Sequence, residues 1–410
     1  MDIVHERCAG LDVHKRTVVA AARWPDDQGD RAERVRTFPT FTDGLCQLAE
    51  WLTGLGVSHV VMEATGVFWR PVWNRLEDAG FELLLVNARH VKIVPGRKTD
   101  VNDAQWLAHL LECGLLRGSF VPPRPIRQMR DLTRYRTRKI QALGQERQRV
   151  DKVLEDAGIK LSAVASDHLG VSGRAMIEAL CAGERDPHRL AGLARGVLRA
   201  KHDQLTQALV GRFGEHHARQ LRVMLGVVDD LGEVIAGLDT QIEAAMEPFA
   251  GQRELLCTIP GVARRTAEVM IAEIGPDMAV FPTAGHLASW AGLCPGANES
   301  GGKRRSARTR KADPWLRRAL VQAAWAASRT HSRLGARFWG IARRRGHKKA
   351  AVAVAHSIIV IAWHLLTNNT NYDDLGHDFY TRRVDPERET RRLVARLEAL
   401  GHTVDLAPAS

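Results

Sequence analysis

Aromatic residues are scarce, 6% of the 410 residues, so extended base-stacking platforms are not the expected mode of ligand recognition. Cysteine is scarce as well: Cys8, Cys46, Cys113, Cys181, Cys257 and Cys294 each stand alone, without a CxxC pair or a neighbouring histidine at metal-ligand spacing. That excludes a zinc ribbon and a disulfide framework, and fits the reduced thiols of a cytosol. The first residues lack an uninterrupted apolar core, because Asp2, Glu6, Arg7, Asp12 and Lys15 break it, and no secretory signal is expected. The strongest apolar run, Ala350 to Leu366, is interrupted by His356, Ser357 and His364; the expectation is a buried helix too short to span a membrane. Acids are also in deficit, 47 against 59 Lys plus Arg, and the resulting formal charge of +12 points to a polyanionic partner. What is present, 45% hydrophobic and 26% charged residues, describes an ordinary globular chain long enough for two or three domains.

The first 118 residues alternate short apolar runs with helical patterns. Arg7–Val13, Val18–Trp24 and Val35–Pro39 read as three strands, the first two forming a hairpin. A helix over Phe41–Leu55, a strand His59–Glu63, a helix from about Val67 to Ala79 and a strand Glu82–Val86 follow. Antiparallel strands leading into β-α-β units predict a mixed α/β sheet. Pro122-Pro123-Arg124-Pro125 marks a boundary, since a helix cannot run through it. From Arg124 to Lys152 ten basic residues face three acids, which predicts a long basic helix, a coiled-coil arm whose Arg134, Arg138 and Lys139 are candidate nucleic-acid contacts. The expected organisation is an α/β domain over 1–118, a basic helical region over 119–250, a mostly helical domain over 251–375 and a tail over 376–410.

In the third region, Leu255 to Gly275 reads as helix, tight turn at Pro260-Gly261, helix, and Gly261 would let backbone amides approach a phosphate, as in helix-hairpin-helix DNA binding. Residues 300 to 350 hold sixteen Lys or Arg and the single acid Asp313. A solvated face rarely reaches that bias; a phosphate-facing surface is expected, with Lys303, Arg304, Arg305, Arg308, Arg310 and Lys311 as contacts.

Two constellations could carry chemistry. Asp12 lies near the end of the first strand in Gly10-Leu11-Asp12-Val13-His14-Lys15, and Glu63 ends the apolar run from His59. Neighbouring strands would bring both carboxylates to one edge of the sheet. Asp100 and Asp103, in Lys98-Thr99-Asp100-Val101-Asn102-Asp103-Ala104, open a helix running to Leu111 and share a face of its first turn. Capping alone would explain two such acids. Four acids at element ends instead suggest a hard-oxygen site for divalent cations, and two Mg²⁺ ions suit in-line phosphoryl displacement. The other constellation is Asn298-Glu299-Ser300-Gly301-Gly302-Lys303, where an open serine stands among glycines and cations; no histidine stands beside it as a base. Histidines, as at His216-His217, His356 and His364, suggest no ligand set.

Taken in order, Gly10-Leu11-Asp12-Val13-His14-Lys15, Met62-Glu63-Ala64-Thr65-Gly66, Lys98 to Ala104, Ile259-Pro260-Gly261-Val262, and Ala291-Gly292-Leu293-Cys294-Pro295 leading to Ser300-Gly301-Gly302-Lys303 resemble the DEDD transposases of the insertion-sequence one-ten family. The likeness runs from about residue 7 to 370. It implies an N-terminal RuvC-like domain with the RNase H-like fold, a helical coiled-coil insertion and a C-terminal transposase domain. Asp12, Glu63, Asp100 and Asp103 match the family's metal-binding acids, and Ser300 its nucleophile, which in the family is linked covalently to DNA during strand exchange. The resemblance further implies double-stranded DNA partners (element ends and target), a structured noncoding guide RNA, a homodimer or homotetramer with a site shared between subunits, and a cytoplasmic, nucleoid-associated location. Two places depart from the family's pattern: Glu299-Ser300 replaces a pair of serines, and Lys311-Ala312-Asp313-Pro314 replaces Lys-x-Gly-Asn. Ser306 is a second candidate nucleophile. Other readings of the same residues are a RuvC-like junction nuclease using water, a noncatalytic nucleic-acid-binding protein, and, last, a sugar-kinase-like relative, for which His14-Lys15-Arg16-Thr17 is no phosphate loop.

Overall fold

The computed structural model describes residues 3–64, 66–87, 103–296, 299–304, 309, 312–382 and 386–407. The chain divides into two compact units, Met1–Val121 and Pro122–Ser410.

The first unit is built on one sheet of β1 (Cys8–Val13), β2 (Thr17–Pro25), β3 (Arg31–Pro39), β4 (His59–Glu63) and β5 (Glu82–Val86), in the order β3-β2-β1-β4-β5. β1, β2 and β3 pair antiparallel, whereas β1–β4 and β4–β5 are parallel. Strand alternation decides which side chains face which layer. Ala9, Leu11, Val13, Val60 and Met62 join the core beneath α1 (Thr42–Gly54) and α2 (Trp69–Asp78). Cys8 and Val61 point the other way, into a smaller core with Leu107, Leu110 and Leu111 of α3 (Asp103–Glu112). β3 begins at Arg31, earlier than its apolar pattern predicts, because Arg31–Glu33 pair with Arg23–Pro25 on an exposed edge where no alternation is required. The preceding turn is stabilised by Asp26, whose carboxylate accepts the amides of Gln28 and Asp30, and by Gly29 at φ +85°.

In the second unit, α4 (Arg124–Asp156) lies against α5 (Glu215–Met246). They run antiparallel, since Arg136 meets Asp239 while Asp156 meets His217. Residues 157–214 between them form a small helical cap whose core includes Met176, Ile177, Leu180, Leu190, Leu205 and Leu209. α6 (Ala250–Cys257), α7 (Arg264–Ile274), α8 (Ala284–Trp290), α9 (Pro314–Ala327), α10 (Arg333–Arg345) and α11 (His347–Asn368) follow. α11 is longer than the sequence pattern suggested and, by length and composition, long and apolar enough to cross a membrane. One side of it is buried through Ala351, Ala355, Ile358, Ile359 and Ala362, against α6, α8, α9 and α10.

Candidate active site and nucleic-acid interface

Asp12 and Glu63 stand at the same level of the sheet. The parallel register pairs Gly10 with Val61 and Leu11 with Met62, so the next step sets Asp12 beside Glu63. Both then share the face of Cys8 and Val61, the face covered by α3. Three contacts give the direction of that helix: the Val4 amide donates to the Glu112 carbonyl at 2.8 Å, Cys8 Sγ lies 3.5 Å from the Ala108 carbonyl, and Gly10 sits under Ala104. α3 therefore runs antiparallel to β1, and Asp103, its first residue, lies at the end of the sheet where Asp12 and Glu63 lie. A Cβ on Gly10 would overlap the Ala104 carbonyl and the Ala108 amide, and would stand 2.9 Å from Leu107 Cβ. The absent side chain is what lets the helix lie this close.

Asp12 is half-buried and its Oδ2 lies 3.0 Å from His14 Nε2, while Asp103 is exposed at the positive end of the α3 dipole. Asp100 lies outside the described residues. Other clusters bring potential metal ligands within 4.8 Å of one another, His109-Glu112-Cys113 and Asp156-His216-His217; among the described residues Asp12, Glu63 and Asp103 are not drawn that close. Neither cluster suits a cation. Glu112 is held by Arg23 (3.1 Å) and Arg31. His217 accepts the Gly214 amide on Nδ1 at 3.0 Å and meets Asp156 through Nε2 at 3.1 Å, so both ring nitrogens are engaged.

The serine loop is a short hairpin. β6 (Glu299–Ser300) pairs antiparallel with β7 (Lys303–Arg304) across Gly301 at φ +57° and Gly302 at φ +71°. Positive φ at both central residues is the type I′ turn, which glycine favours. A bridge between Pro295 and Thr309 closes the base of the loop. Lys303 is exposed, whereas Arg305, Ser306, Arg308, Arg310 and Lys311 lie outside the described residues, and of Arg304 only the backbone is described.

Two of the expected nucleic-acid contacts are corrected. Arg134 turns inward: Nε and one terminal nitrogen donate to the two carboxylate oxygens of the fully buried Glu273 at 2.7 Å each, and the same nitrogen reaches Asp313 Oδ2 at 2.8 Å. Asp313 in turn caps α9, its Oδ1 accepting the amides of Trp315 and Leu316. Arg130 donates to the carbonyls of Ala272 and Glu273, and Arg136 to Asp239 and Glu268. Helical periodicity turns these three arginines of the basic stretch toward carboxylates, which residue counts could not reveal. Gly261, at φ +89°, faces α9; a Cβ there would lie 2.6 Å from the Ala327 amide and overlap the Ala323 carbonyl. The glycine serves close contact between turn and helix instead of approach to a phosphate. Arg138 is exposed above the Trp315 ring at 5.4 Å, and Lys139 lies over Tyr135 at 4.9 Å.

Residues that charge counting did not separate from their neighbours are Arg337, Lys348, Lys349 and His356. With Pro295 and Thr309 of the loop base they line a cavity of about 500 Å³. Their spacing across two helices carries no linear motif.

Comparison with known sequences finds a profile described as the DEDD transposase of IS110 matching residues 9–159, and one described as the transposase IS116/IS110/IS902 family matching residues 253–339. A protein of Pseudomonas aeruginosa described as "Probable family 20 transposase" is 27% identical over 338 residues, 80% of this chain and 89% of its own length. An insertion element IS110 protein of Streptomyces coelicolor is 34% identical over 145 residues, a third of either chain.

Proposed function

Because the chain belongs to the IS110 family of DEDD transposases, we propose that it is the recombinase of its own insertion sequence, cutting and rejoining DNA through the Ser300 hydroxyl. The observation carrying this reading is the convergence of Asp12, Glu63 and the start of α3 at Asp103 on one face and one end of the sheet. In this reading the first unit is RNase H-like (RuvC-like), and Asp12, Glu63, Asp100 and Asp103 are the acids that hold two Mg²⁺ ions.

The donor set fits such ions by its chemistry, since carboxylate oxygens are the ligands magnesium takes. When bound, the ions would stabilise negative charge on the oxygens of an in-line displacement. The residues supply the rest. Asp12, Glu63 and Asp103 are carried by a rigid strand pair and the helix above it, so little reorganisation is needed at the moment of reaction. His14, 3.0 Å from Asp12, holds that carboxylate at the sheet edge. Ser300 is followed by two glycines, which place no side chain next to it in the chain. Its oxygen forms a bond to phosphorus as one strand oxygen leaves with a proton, giving a phosphoserine link that a strand hydroxyl later reverses. A structured noncoding RNA selecting target and donor DNA, a homodimer or homotetramer completing a composite site, and a place of work on the nucleoid belong to the same proposal; the net charge of +12 supports polyanion binding.

The test is trapping of a protein–DNA adduct on element-end DNA with Mg²⁺. Wild type should form the adduct and Ser300→Ala should not. Cleavage that persists without an adduct in Ser300→Ala would favour water as the nucleophile, as in a junction nuclease.

A further inference from the structure

The base of the serine hairpin opens onto a cavity of about 500 Å³ that it shares with α10 and α11. One wall is cationic: Arg337 from α10, and Lys348 and Lys349 from the first turn of α11. Among the described residues no carboxylate lines it. The Nε of Arg337 is buried without a hydrogen-bond partner, and leaving a buried donor unpaired is costly. The α11 N-cap is Gly346, which has no side chain to accept the first-turn amides. Apolar surface borders the same cavity, with Pro295 from the loop base and Val352 one turn beyond Lys348 on α11. Cations and a helix start, with apolar surface beside them, match a phosphate and its attached sugar.

A second cavity, of about 580 Å³, also borders Arg337 and extends along Arg343 and Arg344 with Trp339 and Tyr380. Two adjoining cavities that share Arg337 suit consecutive nucleotides of a strand better than a single mononucleotide.

We propose that Arg337, Lys348 and Lys349 seat a backbone phosphate of the DNA strand next to the one handled at the Ser300 hairpin. The proposal rests on the recombinase reading and deepens it by naming a strand-holding site outside the acids and the serine. The three residues are strand-positioning groups and take no part in bond breaking.

The test is titration of the full-length protein with a labelled DNA oligonucleotide at several salt concentrations. Arg337→Gln/Lys348→Gln/Lys349→Gln should lower affinity about tenfold or more and flatten the slope of log affinity against log salt by about two to three. Lys348→Gln/Lys349→Gln changes only exposed side chains, keeps the fold, and should flatten it by about one to two, whereas Lys348→Arg/Lys349→Arg should leave it as in wild type. Arg189→Gln, on the exposed cap, is the reference variant and should be silent. An unchanged slope in the double-glutamine variant overturns the seat while leaving the serine reading intact. A loss confined to an RNA oligonucleotide overturns it as a DNA seat. Failure of wild type to bind DNA overturns both readings, and a flattened slope with an adduct that survives Ser300→Ala keeps the seat and removes the serine reading.

Discussion

Gly10 of β1 lies against the Ala104 carbonyl of α3 with no room for a side chain between them. The contact sets the height of the α3 N-terminus above the sheet, and with it the level of Asp103 relative to Asp12. Gly10→Ala should therefore act on both stability and activity. Overpacking of this kind costs about 1–3 kcal/mol, and the helix start must shift outward. Denaturant unfolding should report the loss as a lower midpoint, with Mg²⁺-dependent cleavage reduced even where the protein is fully folded.

The three described acids should be separable from the DNA-binding surface. Asp12→Asn, Glu63→Gln and Asp103→Asn each remove a charge from the edge that would hold the ions. Each is expected to lower the cleavage rate about a thousandfold, equivalent to about 4 kcal/mol of transition-state stabilisation. Oligonucleotide affinity in the absence of Mg²⁺ should stay within about twofold of wild type, because the acids make no favourable contact with phosphate. Single-turnover cleavage and anisotropy titration measure the two quantities; unchanged cleavage in all three variants would remove the metal site from this edge.

Arg134 presents the opposite case. Its partner Glu273 is fully buried, where desolvation pushes the carboxyl up against the opposing hold of Arg134 and Arg130. Arg134→Ala leaves a buried carboxylate short of its bidentate partner, and such breaks cost about 3–5 kcal/mol. Thermal unfolding should show a large drop, while the salt slope of DNA binding, measured below the transition, stays that of wild type. A flattened slope with unchanged stability would return Arg134 to the nucleic-acid surface.

In the first unit, Glu112 should govern acid sensitivity. Burial raises its pKa, but Arg23 and Arg31 outweigh burial and hold it below the ordinary carboxylate value. A carboxyl depressed in the folded state adds stability above its unfolded pKa, about 4.3, and loses it as pH falls through the folded value. Wild type should lose stability below about pH 4 through this residue. Glu112→Gln should be less stable than wild type at pH 7, with the difference narrowing as pH falls; equilibrium unfolding at a series of pH values gives the comparison.

Much of the first unit was legible in residue order because two-residue periodicity and element ends are local properties. Asp12 stands one residue before the end of an apolar strand and Glu63 ends another, so both are marked by their own short stretches of sequence. The start of β3 was not legible, since an edge strand of Arg31-Ala32-Glu33-Arg34 carries no apolar face to betray it. The roles of the basic stretch from Arg124 were legible only as a total. Whether an arginine meets a phosphate or a carboxylate depends on partners such as Glu273 and Asp313, more than a hundred residues away.

Residue order alone was sufficient for composition, the basic balance, the order of strands and helices, and the motifs that tie the chain to its family, because each is written in short stretches of covalent chain. Folding in three dimensions assigned the rest: the end of the sheet where α3 begins, the inward turn of Arg130, Arg134 and Arg136, and the gathering of Arg337, Lys348 and Lys349 beside the serine hairpin. These depend on which surfaces exclude water from one another, and burial is a property of the whole packed chain.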